Sequence, residues 1–120
     1  MPTEHLTLNV NQGAQEGESV YQLLGPLTVS TLFDFQTAVR ADKSPTLILD
    51  LTGVPYIDSA GLGSVVNAHV SCANAGKKFA IVGMSERVRA LFQLTRVESV
   101  LPIFGSLDEA EKHFSKTAQV

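Results

Sequence analysis

The run TLILDL at residues 46–51 is the feature that most limits how this chain can fold. Four of its six residues are apolar, namely Leu47, Ile48, Leu49 and Leu51, and the run has turn signals at both ends. Such a run is typical of a strand that is buried on both faces. Two further apolar runs follow, FAIVG at 79–83 and VLPIF at 100–104, each after a segment long enough for a helix. The alternation predicts right-handed β-α-β units and therefore a largely parallel sheet.

The first 24 residues have a different pattern. Leu6, Leu8 and Val10 alternate with polar residues, which predicts a half-buried strand. A second strand, SVYQLL at 19–24, follows the polar, glycine-containing stretch 11–18. Two short strands joined so closely are expected to pair antiparallel.

Four helices are predicted between and after these strands. The first spans about 31–41 with Ser30 as its N-cap, and the second about 59–75, with Ser59 as the cap and Gly76 closing it. Ser85 caps the third, and the S-x-x-E sequence at 106–109 is a capping box that opens the fourth. We therefore expect one α/β domain over residues 1–120, with a four- to five-stranded mixed sheet and helices packed mainly on one face. Pro102 indicates that VLPIF is an edge strand.

The composition and charge of the chain limit the classes of partner that it is expected to bind. The net charge is -3 without a basic stripe, which argues against nucleic acid. No apolar run approaches the roughly 18 residues that a membrane helix needs. One cysteine, Cys72, and the absence of a signal-peptide pattern predict a cytoplasmic protein with no membrane partner.

Sequence motifs of enzymes are missing. The chain has neither a G-x-x-x-x-G-K-[ST] nor a G-x-G-x-x-G loop, and Ser59 lies in I-D-S-A-G rather than G-x-S-x-G. The three histidines are scattered, and His69 and Cys72 are interpreted as packing residues. We expect no catalytic activity, no cofactor and no metal site.

The helix that begins at Ser59 has an unusual outer face. On a helical wheel its apolar residues lie on one side, with His69 among them: Leu62, Val65, Val66, Val70 and Ala73. The opposite side carries small uncharged residues: Ala60, Ser64, Asn67, Ser71 and Asn74. A smooth, charge-free face favours close approach of another protein, although a fully buried helix would have the same pattern.

These residues also carry a resemblance to a known family. The run LILDLTGVPYIDSAGLGSVVNA, with Asp58-Ser59-x-Gly61-Leu62-Gly63 at its centre, resembles the STAS domain of sulphate transporters and anti-sigma factor antagonists. Residues 23–39 and 80–110 are similar to other parts of that domain, so the resemblance covers almost the whole chain. Thr28 stands where the family often has an aspartate.

The resemblance implies a signalling protein. It implies that Ser59 is phosphorylated by an anti-sigma factor, a serine kinase with a histidine-kinase-like ATPase fold, and that a PP2C-type phosphatase reverses this. The unphosphorylated protein would bind the anti-sigma factor and free a sigma factor for transcription. The residues expected to contact this partner are Asp58, Ser59, Ala60, Gly61, Leu62, Gly63, Ser64 and Asn67.

Two other functions remain open. The domain could be a non-switching scaffold subunit in a larger signalling or lipid-transport assembly, a role in which a hydroxyl at residue 59 is not needed. A small-ligand or nucleotide binder is the third class, although no phosphate-binding loop supports it.

Overall fold

Five strands form one mixed sheet within residues 5–118, the part of the chain that the computed structural model describes. Their order in the sheet follows the sequence: β1 (Thr7–Gln12), β2 (Glu18–Leu24), β3 (Thr46–Gly53), β4 (Lys78–Val82) and β5 (Ile103–Phe104). β1 pairs antiparallel with β2, and the remaining neighbours are parallel. Residues 1–4 and 119–120 of the predicted domain lie outside the described range.

The helices lie on both faces of the sheet, but unequally. The elements are α1 (Leu32–Ala41), α2 (Ser59–Asn74), α3 (Glu86–Leu94) and α4 (Leu107–Ala118), with a 3₁₀ turn at Glu98–Val100. The first three helices enclose the larger apolar core, and α4 covers a smaller one on the opposite face. This arrangement confirms the predicted mixed sheet with helices mainly on one face.

The central strand β3 explains why both faces must be covered. Leu47 and Leu49 point into the larger core and Ile48 into the smaller one, and all three are fully buried. On the larger side, Phe35 of α1 and Phe92 of α3 belong to the same core and are also fully buried. A strand that is apolar on both faces is thus satisfied only by helices on each side.

Several local predictions are confirmed. The Ser85 hydroxyl accepts a hydrogen bond from Val88 N at 3.2 Å, so it caps α3. Gly76 has φ +72° after the end of α2, where Lys77 N donates to Cys72 O as in a Schellman motif. At the start of α4, Glu109 N donates to the Ser106 hydroxyl at 3.2 Å, which is one half of the predicted capping box, while the Glu109 carboxylate accepts from Gly105 N at 2.9 Å.

Other local predictions are wrong. Thr31, not Ser30, occupies the N-cap position of α1, and its side chain makes no capping bond because it bridges Pro26 O and Thr28 N instead. The predicted last strand shrinks to Ile103–Phe104, since Glu98–Val100 continues the turn after α3. Of the alternating residues predicted to be half-buried, Leu6 and Leu8 pack against the larger core, but Val10 is 53% exposed.

Within residues 5–118, no helix combines the length and the apolar character needed to cross a membrane.

Alanine substitutions of the two glycines in the first turns of α2 should have opposite effects on stability. A Cβ on Gly61 would lie 2.1 Å from Leu27 O, a backbone atom, whereas a Cβ on Gly63 has nothing within 4 Å. Gly61→Ala should therefore destabilise the fold by about 1–3 kcal/mol, and Gly63→Ala should stabilise it by about 0.5–1 kcal/mol. Urea unfolding measures both, and equal effects would contradict the close packing of α2 on the preceding loop.

Candidate functional site

Two loops meet at the edge of the sheet where the parallel strands end. One, residues 25–31, follows β2, and the other, residues 54–58, follows β3. Leu27 N donates to Tyr56 O at 3.2 Å, and Asp58 N donates to Leu27 O at 3.3 Å. These backbone hydrogen bonds therefore join the two loops as a short parallel bridge, and α2 begins directly after this contact. Crevices at the carboxyl ends of strands are common sites in open α/β sheets.

The Asp58 carboxylate joins the two loops to the helix. Its Oδ1 accepts from Gly61 N at 2.8 Å, which makes Asp58 the N-cap of α2. Its Oδ2 accepts from Val29 N at 3.0 Å, in the other loop. The two carboxylate oxygens are thus both used to hold backbone N–H groups in place.

Ser59 is therefore not the helix cap, and that prediction is wrong. Asp58 and Ser59 are both good capping residues, and the sequence alone does not show which takes the position. In the structure Ser59 is the first residue of the helix and is exposed. The Ser59 hydroxyl lies at the carboxyl edge of the sheet and does not cap the helix.

The face of α2 that is buried in the structure also differs from the predicted apolar face. The buried face includes Leu62 and Val65, as predicted, but continues through Ala68 and Cys72. Val70 is 46% exposed and Ala73 is exposed. The helix is turned because α1 packs beside it, which the wheel of a single helix cannot show.

Among the predicted partner-contact residues, Ser64 is the one whose exposure differs most from the prediction, because α2 is rotated. It was predicted on the outer face, but it is only 3% exposed, and its hydroxyl donates to Gly61 O at 2.6 Å. It lines a groove of about 230 Å³ between α1 and α2, together with Phe35 and Val39 of α1. Its small side chain serves helix packing, so Ser64 does not lie on an outward surface.

The remaining predicted contact residues divide into two sets. Gly61 and Leu62 are buried and Asp58 and Ala60 are half-buried. Ser59, Gly63 and Asn67 are exposed on one side of α2, which continues to Val70 and has no Lys, Arg, Asp or Glu. A charge-free outer face therefore exists, although it is shifted from the predicted one.

Sequence reasoning missed two exposed apolar residues next to this site. Val29, whose N–H is bound by Asp58, is 71% exposed, and Phe33 at the start of α1 is 73% exposed. Their i, i+4 spacing is also that of an ordinary core pattern, so it does not mark them as exposed. Large side chains exposed to this degree beside a candidate site favour a protein contact.

The other singled-out residues have structural roles. His69 is half-buried and its ring lies 5.5 Å from that of Phe79. Cys72 is buried, and burial raises the pKa of its thiol, so it is protected from reaction. Residues 5–118 bring no three His, Cys, Asp or Glu side chains together as a metal ion would require.

Comparisons of this chain with known proteins agree on one domain family. The STAS domain family model matches residues 6–110. The chain is 27% identical over 101 residues to the anti-sigma-B factor antagonist of Staphylococcus aureus, which covers 82% of this chain and 94% of that protein.

Solved structures share the fold. An anti-sigma factor antagonist from Mycobacterium paratuberculosis is similar with a TM-score of 0.80 and 24% identity, covering 90% of this chain and 92% of that one. A sulfate transporter family protein from Wolinella succinogenes is similar with a TM-score of 0.73 and 19% identity, covering 88% and 91%. The same fold therefore occurs in proteins with quite different names.

Alanine substitutions should separate the cap from its neighbour. Asp58→Ala removes the bond to Gly61 N and leaves Val29 N without its acceptor, so we expect a loss of about 1–2 kcal/mol of stability. Ser59→Ala should change stability by less than about 0.5 kcal/mol, because the exposed hydroxyl does not cap the helix. Urea unfolding of both variants would contradict the assignment if Ser59→Ala were the more damaging change.

Proposed function

This chain belongs to the STAS domain family, and from that membership we propose that it is an anti-sigma factor antagonist switched by phosphorylation of Ser59. The observation that carries the proposal is the exposed Ser59 at the first position of α2, with Asp58 as the cap. The hydroxyl is accessible to a kinase, and modifying it leaves the capping bonds in place. The name of the Staphylococcus aureus relative supports the antagonist role.

The proposed partner is an anti-sigma factor that is also a serine kinase with a histidine-kinase-like ATPase fold. It would bind the surface formed by Ser59, Gly63 and Asn67 on α2 and the exposed Val29 of the neighbouring loop. This surface combines an uncharged helix face with an apolar side chain, as the centres of protein interfaces do. A PP2C-type phosphatase would restore the hydroxyl, and the protein itself would perform no catalysis.

Phosphorylation would act on the interface rather than on the fold. A phosphate adds about -1.5 to -2 charges at the start of α2, where the helix dipole favours an anion and neighbouring Asp58 opposes it. Because the Asp58 carboxylate is held by Gly61 N and Val29 N, the cap does not depend on the modified side chain. A partner packed on Ser59 would have to desolvate the phosphate, at a cost of several kcal/mol unless a basic group met it.

Three forms of residue 59 test this switch. Wild type and Ser59→Ala should bind the cognate anti-sigma kinase with similar affinity, and only wild type should be phosphorylated. Ser59→Asp should bind about 100-fold more weakly, which corresponds to roughly 3 kcal/mol. Isothermal titration calorimetry gives the affinities, and phosphosite mapping gives the modified residue.

Melting curves of the same proteins are the control, since all three should remain folded. Equal binding by all three forms, with no phosphate on Ser59, would contradict the switch. That outcome would favour the non-switching scaffold, a role consistent with the recurrence of this fold in a sulfate transporter family protein.

Serine substitutions test the apolar part of the surface. Val29→Ser and Phe33→Ser should each weaken kinase binding by about tenfold or more, because they remove large contact area at an interface. Leu94→Ser is the matched control: Leu94 is 80% exposed but lies at the far end of α3, so binding should be unchanged. All three substitutions should alter stability by less than about 0.5 kcal/mol. Equal loss with Leu94→Ser would show that the contact is not local to Ser59.

A further inference from the structure

Two glutamates meet at the opposite end of the sheet from Ser59. Glu18 begins β2 and is only 4% exposed, although it carries a carboxyl group. Glu111 of α4 accepts a hydrogen bond from Ala14 N at 2.7 Å through its Oε2. Its Oε1 is buried and has no hydrogen-bond donor. A buried carboxylate oxygen without a donor is costly and needs an explanation.

The surroundings of Glu18 are tight. Its Oε1 accepts from Gln15 N at 3.2 Å, and the loop between β1 and β2 closes directly over the carboxyl group. A Cβ placed on Gly13 would lie 2.3 Å from the same oxygen, so no larger residue fits there. The loop, Glu18 and α4 therefore form one packed unit.

The two carboxyl groups accept hydrogen bonds from adjacent amides of the same loop, Glu111 from Ala14 N and Glu18 from Gln15 N. Burial of Glu18, followed by its side-chain contact with Glu111, raises the pKa of the Glu18 carboxyl above its ordinary value of 4.5. Two carboxylates both accept hydrogen bonds, so such a contact is favourable only when one of them is protonated. A proton on Glu18 would donate to Glu111 Oε1 and supply the donor that this oxygen lacks.

Among the side chains that the structure describes, the basic residues of β4 and α4 make other contacts. Lys78 of β4 lies over the Phe114 ring, 5.9 Å from its centroid. Lys112 of α4 pairs with Asp108 at 3.3 Å, and the His113 ring lies 5.1 Å from that of Phe104. The β3 neighbour of Glu18 is the neutral Thr46, and the loop itself contributes only the exposed, acidic Glu16.

We propose that one proton shared between Glu18 and Glu111 clamps α4 to the β1–β2 loop, and that losing it as pH rises loosens α4 from the sheet. The helix covers the smaller core through Ala110 and Phe114, which pack over four strand residues: Val20, Ile48, Ala80 and Val82. Loosening α4 would therefore expose an apolar sheet face on the side opposite α2. The covering of this apolar sheet face by α4 would therefore depend on pH.

The direction of the effect follows from linkage. Because the docked state holds the proton more tightly than the undocked state, the stabilisation is fully present below pH 4.5 and is lost as pH rises through the raised pKa of Glu18. Within that window the docking equilibrium of α4 should fall about tenfold per pH unit. Above it, docking should be weak but constant.

Glu111→Gln is the variant that tests the clamp. Its amide oxygen can still accept from Ala14 N, and its amide N–H₂ can donate to a Glu18 carboxylate without an added proton. We expect the variant to retain α4 docking across pH 4–8 and to melt roughly 4 °C higher than wild type at pH 8. Hydrogen exchange of amides 110–114, corrected for intrinsic rates, measures docking in both proteins.

Two further variants make the result decisive. Glu18→Gln should flatten the pH profile in the same way, because it also supplies a fixed donor, whereas Glu16→Gln changes an exposed acid on the same loop and should leave the wild-type profile intact. Carboxyl-carbon NMR titration of the wild type should show Glu18 titrating above its ordinary value of 4.5. Ordinary titration of Glu18, or an α4 exchange profile in wild type identical to that of Glu111→Gln, would overturn the proposal.

Discussion

The bonds from the Asp58 carboxylate to Val29 N and Gly61 N hold together the edge of the sheet on which the candidate site is built. Without them, the loops after β2 and β3 would be joined only by the backbone bonds of Leu27, and α2 would begin without a cap. The close approach of Gly61 to Leu27 O has the same effect from the other side, since any larger residue would push α2 away. The position of Ser59 is therefore determined by backbone contacts around it rather than by bonds of its own side chain.

The strands and the helix order could be predicted because their signals are local. The apolar run of β3 has to be covered on two faces, and the Ser85 cap and the glycine at residue 76 mark helix ends through bonds made within a few residues. The Asp58-Ser59 pair shows the limit of such signals. Both residues favour the N-cap, and a shift of one position decides which side chain is exposed.

The direction of α2 could not be predicted because it depends on a neighbouring helix. A helical wheel groups Val70 and Ala73 with the core, but α1 occupies the side of α2 that carries Ser64. Small residues allow two helices to approach closely, and the same residues look like a smooth outer surface when one helix is considered alone. For the same reason, the Glu18–Glu111 contact joins residues 93 positions apart and leaves no trace in the local sequence pattern.

The two ends of the sheet differ in how their acidic groups are satisfied. At the Ser59 end, both Asp58 oxygens accept hydrogen bonds from backbone N–H groups. At the other end, Glu111 Oε1 is buried without a donor, and burial raises the pKa of the Glu18 carboxyl. The proposed phosphorylation would act at the first end, and the proposed pH effect at the second. Since α2 and α4 lie on opposite faces of the sheet, the two proposed effects involve different apolar cores.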